Sequence, residues 1–240
     1  MITTEMQLPA GQRNPDSLGL AETLYLMCLD TQKGRCHFIS RHPLKYAVTA
    51  ALLYELTQLG RIEFKDEILV IRDSNPSGND FHDRVLERIV ELSRDRKLSW
   101  WLGKLSFIYS EIRNQIIKNL LSCGVIRHKR ITSGQSIHNR YEIWNDSIYR
   151  RIKSKLDRLI LDQKKTDDNT RVLAALIWSC RASGKIYRDK KIAGDAKYRM
   201  NIIGETSDYS RHVRKSINAV RGNVVTAILT IGIPVLKNIL

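Results

Sequence analysis

The chain has 240 residues, 42% of them hydrophobic, so it is long enough to bury a substantial core and too apolar for an intrinsically disordered protein. Forty Lys and Arg residues against twenty-five Asp and Glu residues give a formal net charge of +15. This excess favours an anionic partner, namely nucleic acid, an acidic membrane surface or an acidic protein, although solubility alone would also explain it.

The two ends of the chain carry no recognisable targeting or spanning segment. Residues 1–16 are polar, lack the basic-then-apolar order of a signal peptide, and are predicted to form a flexible tail. The longest apolar run, 223–236, is shorter than the roughly 20 residues that a bilayer requires. We therefore expect a buried helix over 223–239. Four dispersed cysteines without a C-x-x-C pair are expected to be reduced thiols of a cytosolic protein: Cys28, Cys36, Cys123 and Cys180.

The first half of the chain predicts two helices and a hairpin. Apolar residues at helical spacing indicate one helix within 17–30 and a second that begins at Pro43. Gly60 stands where a left-handed residue is expected to end this second helix. The short runs "RIEF" and "ILVIR" that follow are β-branched and are predicted to pair as a hairpin.

The second half repeats this order and then becomes wholly helical. An apolar stripe over 112–121 predicts a helix that ends at Gly124, and residues 125–144 predict a second hairpin. The remaining predicted helices are 81–93, a short one in "LSWWLGKLSF", 145–163, 168–183, 190–203, 208–220 and 222–239. The pattern therefore predicts a mainly α-helical single domain over 17–240 with small β-hairpins.

No catalytic or metal-binding motif is present in the sequence. There is no Gly-rich phosphate loop, no G-x-S-x-G, no H-E-x-x-H and no Cys/His cluster at metal-ligand spacing. Asp80 and Asp83 lie on one face of a predicted helix, where they are expected to favour its positive N-terminal end. The six histidines are scattered and are interpreted as surface residues. We expect a protein that is not an enzyme and holds no cofactor or metal.

One function that the pattern allows is nucleic-acid binding. A helix, a glycine and a basic hairpin are typical of winged-helix domains, whose wing contacts phosphates. The wing cations would be Arg127, Lys129, Arg130 and Arg140. The apolar stripe over 112–121 leaves few polar positions to read bases, and about a hundred further residues would need another purpose. Nucleic-acid binding therefore stands as the alternative function.

Five stretches, in order, resemble the Golgi phosphoprotein 3 family over about 18–240. They are "LGLAETLYLMCLDTQKGR", "AALLYELTQLGRIEF", "NPSGNDFHDRVL", "IRNQIIKNLLSCGVI" and "RVLAALIWSCRASGKI". The resemblance implies a mostly α-helical fold with β-hairpins and an amphipathic core helix near the C-terminus. It also implies lipid binding, because eukaryotic members read phosphatidylinositol 4-phosphate on Golgi membranes and retain glycosyltransferases by their cytosolic tails.

The resemblance matches one cation of the family's headgroup pocket. That pocket uses a Trp, an Arg, and two basic residues three apart on a later helix. The second residue of the basic pair corresponds to Arg113, and the first corresponds to Ser110. The Trp and early Arg positions are taken by Ser40 and Thr49. The hairpin "RITSGQSIHNR" is polar where the eukaryotic members are apolar, and the chain lacks an Arg-rich N-terminal cluster. In both respects the chain is similar to bacterial members of the family.

The residues expected to bind a lipid headgroup are Arg113, Arg41 and Lys45, the last two because they lie near the lost positions in sequence. The first hypothesis is a cytoplasmic, peripherally membrane-associated adaptor for anionic phospholipids of the phosphoinositide 4-phosphate type. Cytosolic tails of membrane proteins are a further expected partner, and the protein can form an oligomer under this hypothesis. A protein–protein scaffold whose charge serves solubility is the third hypothesis.

Overall fold

The computed structural model describes residues 18–30, 35–36, 38–65, 68–133 and 136–206. The α-helices in these residues are α1 Leu20–Met27, α2 Phe38–Gln58, α3 Asp80–Leu92, α4 Leu98–Leu105, α5 Tyr109–Ser122, α6 Asp146–Ile160, α7 Asp168–Ser179, α8 Ser183–Ile186 and α9 Lys190–Thr206. The strands, paired antiparallel in twos, are β1 Leu29–Asp30 with β2 Arg35–Cys36, β3 Ile62–Lys65 with β4 Ile68–Ile71, and β5 Ile126–Ser133 with β6 Ser136–Ile143. The predicted mainly α-helical fold with small hairpins is confirmed.

Several predicted segments lie outside the described residues. These are the tail over 1–16, the helices over 208–220 and 222–239, and with them the buried run 223–239 and the amphipathic core helix implied near the C-terminus. Among the helices that the structure describes, none is both long enough and apolar enough to cross a bilayer.

The core is built around α2, which contacts α1, α3, α4 and α7. The apolar stripe predicted for this helix is buried from Leu44 to Leu56, and it ends at Leu59, which is exposed. Trp101 of α4 is also fully buried, beside a half-buried Trp100. An apolar stripe as wide as that of α2 is expected of a helix that is covered on several sides.

The start predicted for α2 is wrong. The helix begins at Phe38, so that Pro43 lies inside it instead of at its first position. A proline there cannot donate a backbone hydrogen bond to the carbonyl four residues earlier, that of Ile39, which costs helix stability. Pro43 and Leu44 are both buried, and their packing against the core offsets this loss.

Both glycines predicted to end a helix do so in the left-handed conformation, with φ of 66° at Gly60 and 64° at Gly124. After α2, the Arg61 amide donates to the Leu56 carbonyl at 2.9 Å, and the equivalent bond after α5 is 3.0 Å. This is the Schellman arrangement, which satisfies carbonyls left open at a helix end. The chain then enters β3 and β5 directly, so each hairpin is attached to the end of its helix.

Buried polar groups hold the N-terminal end of α1. Glu22, in the first turn, has only 1% of its surface exposed. One of its carboxylate oxygens accepts from the Gly19 amide at 2.8 Å, and the other accepts from Asn119 Nδ2 of α5 at 3.1 Å. The charge is tolerated because both oxygens are bonded and the positive end of the helix faces them.

A second carboxylate at the same place connects α1 with α2 and α3. Glu55 accepts from the Leu20 amide at 2.5 Å, and its other oxygen lies 3.2 Å from His82 Nε2. His82 is only 8% exposed, so the interpretation of every histidine as a surface residue is wrong at this position. The reason is tertiary, because α3 packs against α2 and places the imidazole beside Glu55.

Candidate functional site

Arg113 is exposed in the second turn of α5, three residues after the exposed Ser110. Its guanidinium donates to the side-chain oxygen of Asn114 at 3.0 Å, which is a neutral partner. Glu111, the nearest carboxylate in sequence, is instead 3.2 Å from the Arg84 guanidinium of α3. The described partners of Arg113 therefore leave its positive charge uncompensated.

Two phenols lie beside Arg113. Burial, Cys36 and Tyr109 raise the pKa of the Tyr25 hydroxyl far above its ordinary value, and the positive charge of Arg113 opposes this rise. Burial and Cys36 likewise raise the pKa of Tyr109, again against the effect of Arg113. Both phenols thus stay neutral at physiological pH. They therefore cannot serve as the counter-ion of Arg113.

The other two candidate residues lie one turn apart in α2. Lys45 is half-buried, with its Nζ 4.7 Å from the centroid of the Tyr46 ring. Arg41 is part of the helix, and its side chain is outside what the structure describes. The helix contacts the 3₁₀ turn 106–108, and this turn leads into α5, the helix that carries Arg113. Lys45 and Arg113 nevertheless each have a described partner of their own, the Tyr46 ring and the Asn114 side chain.

The position matched to the early pocket arginine lies inside the core. Thr49 is fully buried, and its hydroxyl donates to the Lys45 carbonyl at 2.9 Å. A charged side chain at this place would lose its hydration without a described acid to pair with, so the threonine is what the packing admits. A headgroup near Arg113 would therefore receive no cation from this position.

The hairpin β5–β6 holds two of its cations in cross-strand pairs. Arg127 Nε lies 2.5 Å from one oxygen of Glu142, and Lys129 Nζ lies 3.2 Å from the other. These bonds lower the pKa of Glu142. The Arg127 guanidinium also stacks 3.6 Å from the centroid of the Trp144 ring. One carboxylate thus compensates one of the two positive charges of Arg127 and Lys129 at the base of the predicted wing.

Two cavities among the described residues have basic walls. The first, of about 420 Å³, is lined by Leu18, Leu20, Thr23, Ile148, Arg151, Ile152, Lys155, Asp167, Asn169, Thr170 and Leu173. The second, of about 390 Å³, is lined by Leu159, Gln163, Lys164, Lys165, Thr166, Arg171, Arg199, Ile202 and Ile203. Carboxylates lie near several of these cations, as Asp167 does near Lys155 at 3.7 Å and Asp168 near Arg171 at 3.4 Å. Their attraction for an anion is correspondingly reduced.

A surface that the sequence analysis missed lies around α4. Phe107, in the 3₁₀ turn after α4, is 82% exposed. Trp100 has Arg96 and Lys104 near its ring, at 5.8 and 5.9 Å from the centroid. We call these four residues the aromatic–basic patch. The available signal was the basic run "SRDRK", which ends three residues before two adjacent tryptophans, of which a single short helix can bury only one on its core side.

The paired carboxylates of α3 are structural, as the sequence predicts. Asp80 and Asp83 lie in the first turn of the helix, whose N-cap is Asn79. Asp83 accepts from the amide and hydroxyl of Ser77, and although burial opposes the shift, these bonds lower its pKa. Within the described ranges, no group of three or more His, Cys, Asp and Glu side chains is arranged to hold a metal ion.

Comparison with known proteins identifies the family. The model of the Golgi phosphoprotein 3 (GPP34) family matches residues 20–220. A search of curated proteins found no match. The matched range includes all the helices α1 to α9 and the three candidate residues, Arg41, Lys45 and Arg113. Because the match covers most of the chain, this protein belongs to the Golgi phosphoprotein 3 family.

Proposed function

We propose that the protein is a non-enzymatic, peripheral membrane adaptor that binds anionic phospholipid headgroups on the cytoplasmic side of a membrane. Family membership supports this class of function. The net charge of +15 supports an anionic surface as the partner. Each Lys or Arg close to an acidic membrane contributes about 1 kcal/mol, so a few cations on one face are enough for reversible binding.

The observation that carries the proposal is the state of Arg113. It is the cation retained from the family's headgroup pocket, it is exposed, and its described hydrogen bond goes to the neutral Asn114. An uncompensated guanidinium is suited to a phosphate, which it can bind through two parallel N–H bonds. With serine and threonine at other pocket positions, we expect charge to dominate over recognition of one phosphoinositide. A 4-phosphate headgroup remains the specific ligand to test, and cytosolic protein tails are the proposed clients.

Nucleic-acid binding is favoured by one observation, the attachment of the hairpin β5–β6 to the end of α5 at Gly124. The charges of the hairpin argue against it. Arg127 and Lys129 share Glu142, so one of their two positive charges is already compensated within the hairpin. We therefore rank lipid binding first.

The test uses vesicles of phosphatidylcholine with and without phosphatidylserine, and with phosphatidylinositol 4-phosphate at equal total charge. Arg113→Glu should weaken co-sedimentation with anionic vesicles more than the matched Arg158→Glu, since Arg158 is equally exposed but lies on α6. Wild-type binding should also fall steeply between low salt and high salt, because exposed charges are screened within about 8 Å at physiological ionic strength.

Duplex DNA is the control for unspecific attraction to polyanions. If Arg113→Glu leaves vesicle binding intact while charge reversal at Lys129 and Arg130 abolishes tight DNA binding, the lipid proposal is wrong and nucleic acid takes its place. Circular dichroism should show that the variants remain folded, since Arg113 and Arg158 are both exposed.

A further inference from the structure

Phe107 is the most exposed of the large apolar side chains in the part of the chain that the structure describes. It lies in the 3₁₀ turn 106–108, between the end of α4 and the start of α5. An isolated exposed aromatic is ordinary on a protein surface. This one is distinguished by its neighbours, because cations and a second aromatic accompany it along α4.

The second aromatic, Trp100, is held in a fixed position. Its ring meets that of the buried Trp101 edge to face, with centroids 4.9 Å apart. Arg96, from the loop before α4, and Lys104, one turn further along the helix, both lie within 6 Å of its centroid. Cations at such distances are attracted by the ring, and their long apolar stems can lie along it while the charged ends reach outward.

Three members of the patch follow one another along α4 and the 3₁₀ turn after it. Trp100, Lys104 and Phe107 are spaced four and three residues apart, as side chains on one helical face are. Gly103, on the same side, has open space where a Cβ would stand. Arg94 and Lys97 lie in the loop that also contributes Arg96, against a single acid, Asp95. This part of the molecule therefore combines the exposed Phe107 and the half-buried Trp100 with a local excess of positive charge.

We infer that the aromatic–basic patch is a membrane-insertion surface for anionic bilayers. Phe107 would enter the boundary between headgroups and acyl chains, Trp100 would lie at the headgroup level, and Arg96 and Lys104 would meet lipid phosphates. An aromatic side chain with an apolar ring and a polar edge, such as Trp, is suited to the membrane–water interface. The long stems of basic side chains can lie among the acyl chains while their charged ends reach the headgroups. The inference rests on the proposed function and assigns part of it to a second surface.

A bilayer fits this patch better than a protein partner does. Phe107 is 82% exposed in a tight turn, so as a single projecting side chain it offers little area to a rigid partner, whereas a fluid bilayer closes around it. The accompanying charges are complementary to anionic headgroups. The patch also adjoins the candidate headgroup site, because Arg113 follows Phe107 by six residues, or roughly 9 Å along a helix.

Two kinds of attraction follow from this arrangement, and they differ in their response to salt. Charge attraction from Arg113, Arg96 and Lys104 weakens as salt screens it. Insertion of Phe107 removes apolar surface from water and is not weakened in this way. Some binding should thus persist at high salt, and Phe107 should account for it.

The test is vesicle binding by Phe107→Ser, with vesicles of phosphatidylcholine and phosphatidylserine. Burial of one phenylalanine side chain changes an equilibrium roughly ten- to hundredfold, so we expect binding at least about tenfold weaker and no residual binding at high salt. Tyr198→Ser is the matched control, since Tyr198 is 68% exposed on α9, away from the patch, and this variant should bind as the wild type does. Both variants should keep the wild-type melting temperature because both side chains are exposed.

Fluorescence gives an independent measurement. Lipids brominated on the acyl chains should quench part of the tryptophan emission of the bound wild type, and Trp100→Phe, measured at lipid concentrations that keep the variant fully bound, should lack that part. If wild-type protein does not bind anionic vesicles at all, the proposed function itself fails. If wild type binds but Phe107→Ser binds equally well and Trp100→Phe leaves quenching unchanged, the proposed function stands and the inference is overturned, leaving a protein partner as the occupant of the patch.

Discussion

Replacement of Glu22 by leucine should destabilise the fold strongly, although the two side chains are similar in size. Glu22 is buried and accepts one hydrogen bond from the Gly19 amide and one from the Asn119 side chain. Hydrogen bonds to a charged acceptor contribute about 1.5–3 kcal/mol each, and both donors, which belong to half-buried residues, would lose this partner. The expected loss in the free energy of unfolding is about 3–5 kcal/mol, or roughly 10 °C in the melting temperature.

The conservative variant Glu22→Gln should lose much less, about 1 kcal/mol, because the glutamine oxygen can still accept from Gly19 while the Asn119 amide turns to present its oxygen. Glu91→Gln is the matched surface control. Glu91 pairs with Arg88 in the exposed part of α3, where such a pair contributes about 0.2–1 kcal/mol. Urea unfolding followed by circular dichroism measures all three. A loss below about 1 kcal/mol for Glu22→Leu would refute the reasoning that these two bonds hold α1 in place.

Three further predictions concern stability. Gly124→Ala should lower the free energy of unfolding by about 1–2 kcal/mol, since φ there is +64° and an alanine is strained in that region; urea unfolding measures the loss, and an unchanged midpoint would contradict it. Gly204→Ala should lower the free energy of unfolding by about 1–3 kcal/mol, because the new Cβ would clash with the Trp178 ring. Thermal unfolding measures the loss, and an unchanged melting temperature would contradict it by showing that the indole moves aside without cost. Asp83 has its pKa lowered from the ordinary 3.8, so it stabilises the fold above about pH 4 and loses this effect as pH falls through its lowered pKa; Asp83→Asn should therefore flatten the pH dependence of unfolding, and an unchanged acid limb would count against it.

The parts of the fold that the sequence predicted correctly are those determined by local chemistry. The apolar stripe of α2 and the glycines at positions 60 and 124 act through neighbours within one helical turn, so residue type and spacing are sufficient to recognise them. The start of α2 was missed because Pro43 favours a helix start locally, whereas burial against other helices outweighs its missing hydrogen bond.

The site depends on distant contacts, which spacing does not encode. Glu111 does not neutralise Arg113 because its carboxylate pairs with Arg84, a residue of another helix. The burial of His82 depends in the same way on Glu55. Phe107 was missed because an aromatic within an apolar stretch is usually read as core, and only the turn after α4 directs it outward.

The hairpin β5–β6 is joined to α5 at Gly124 and extends from this junction as a long arm. Seven residues of β5 beyond Ile126, at about 3.3 Å each, give a free arm of roughly 23 Å that ends at Ser133, so a rotation of about 10° at its base would displace Ser133 by about 4 Å. The first residues of the arm are anchored, because Val125 and Ile126 are buried, and its free length begins only beyond them. A small change in the packing of the last turn of α5 would thus produce a larger displacement at the far end of the hairpin. A change at this helix would in this way reach any molecule in contact with that end.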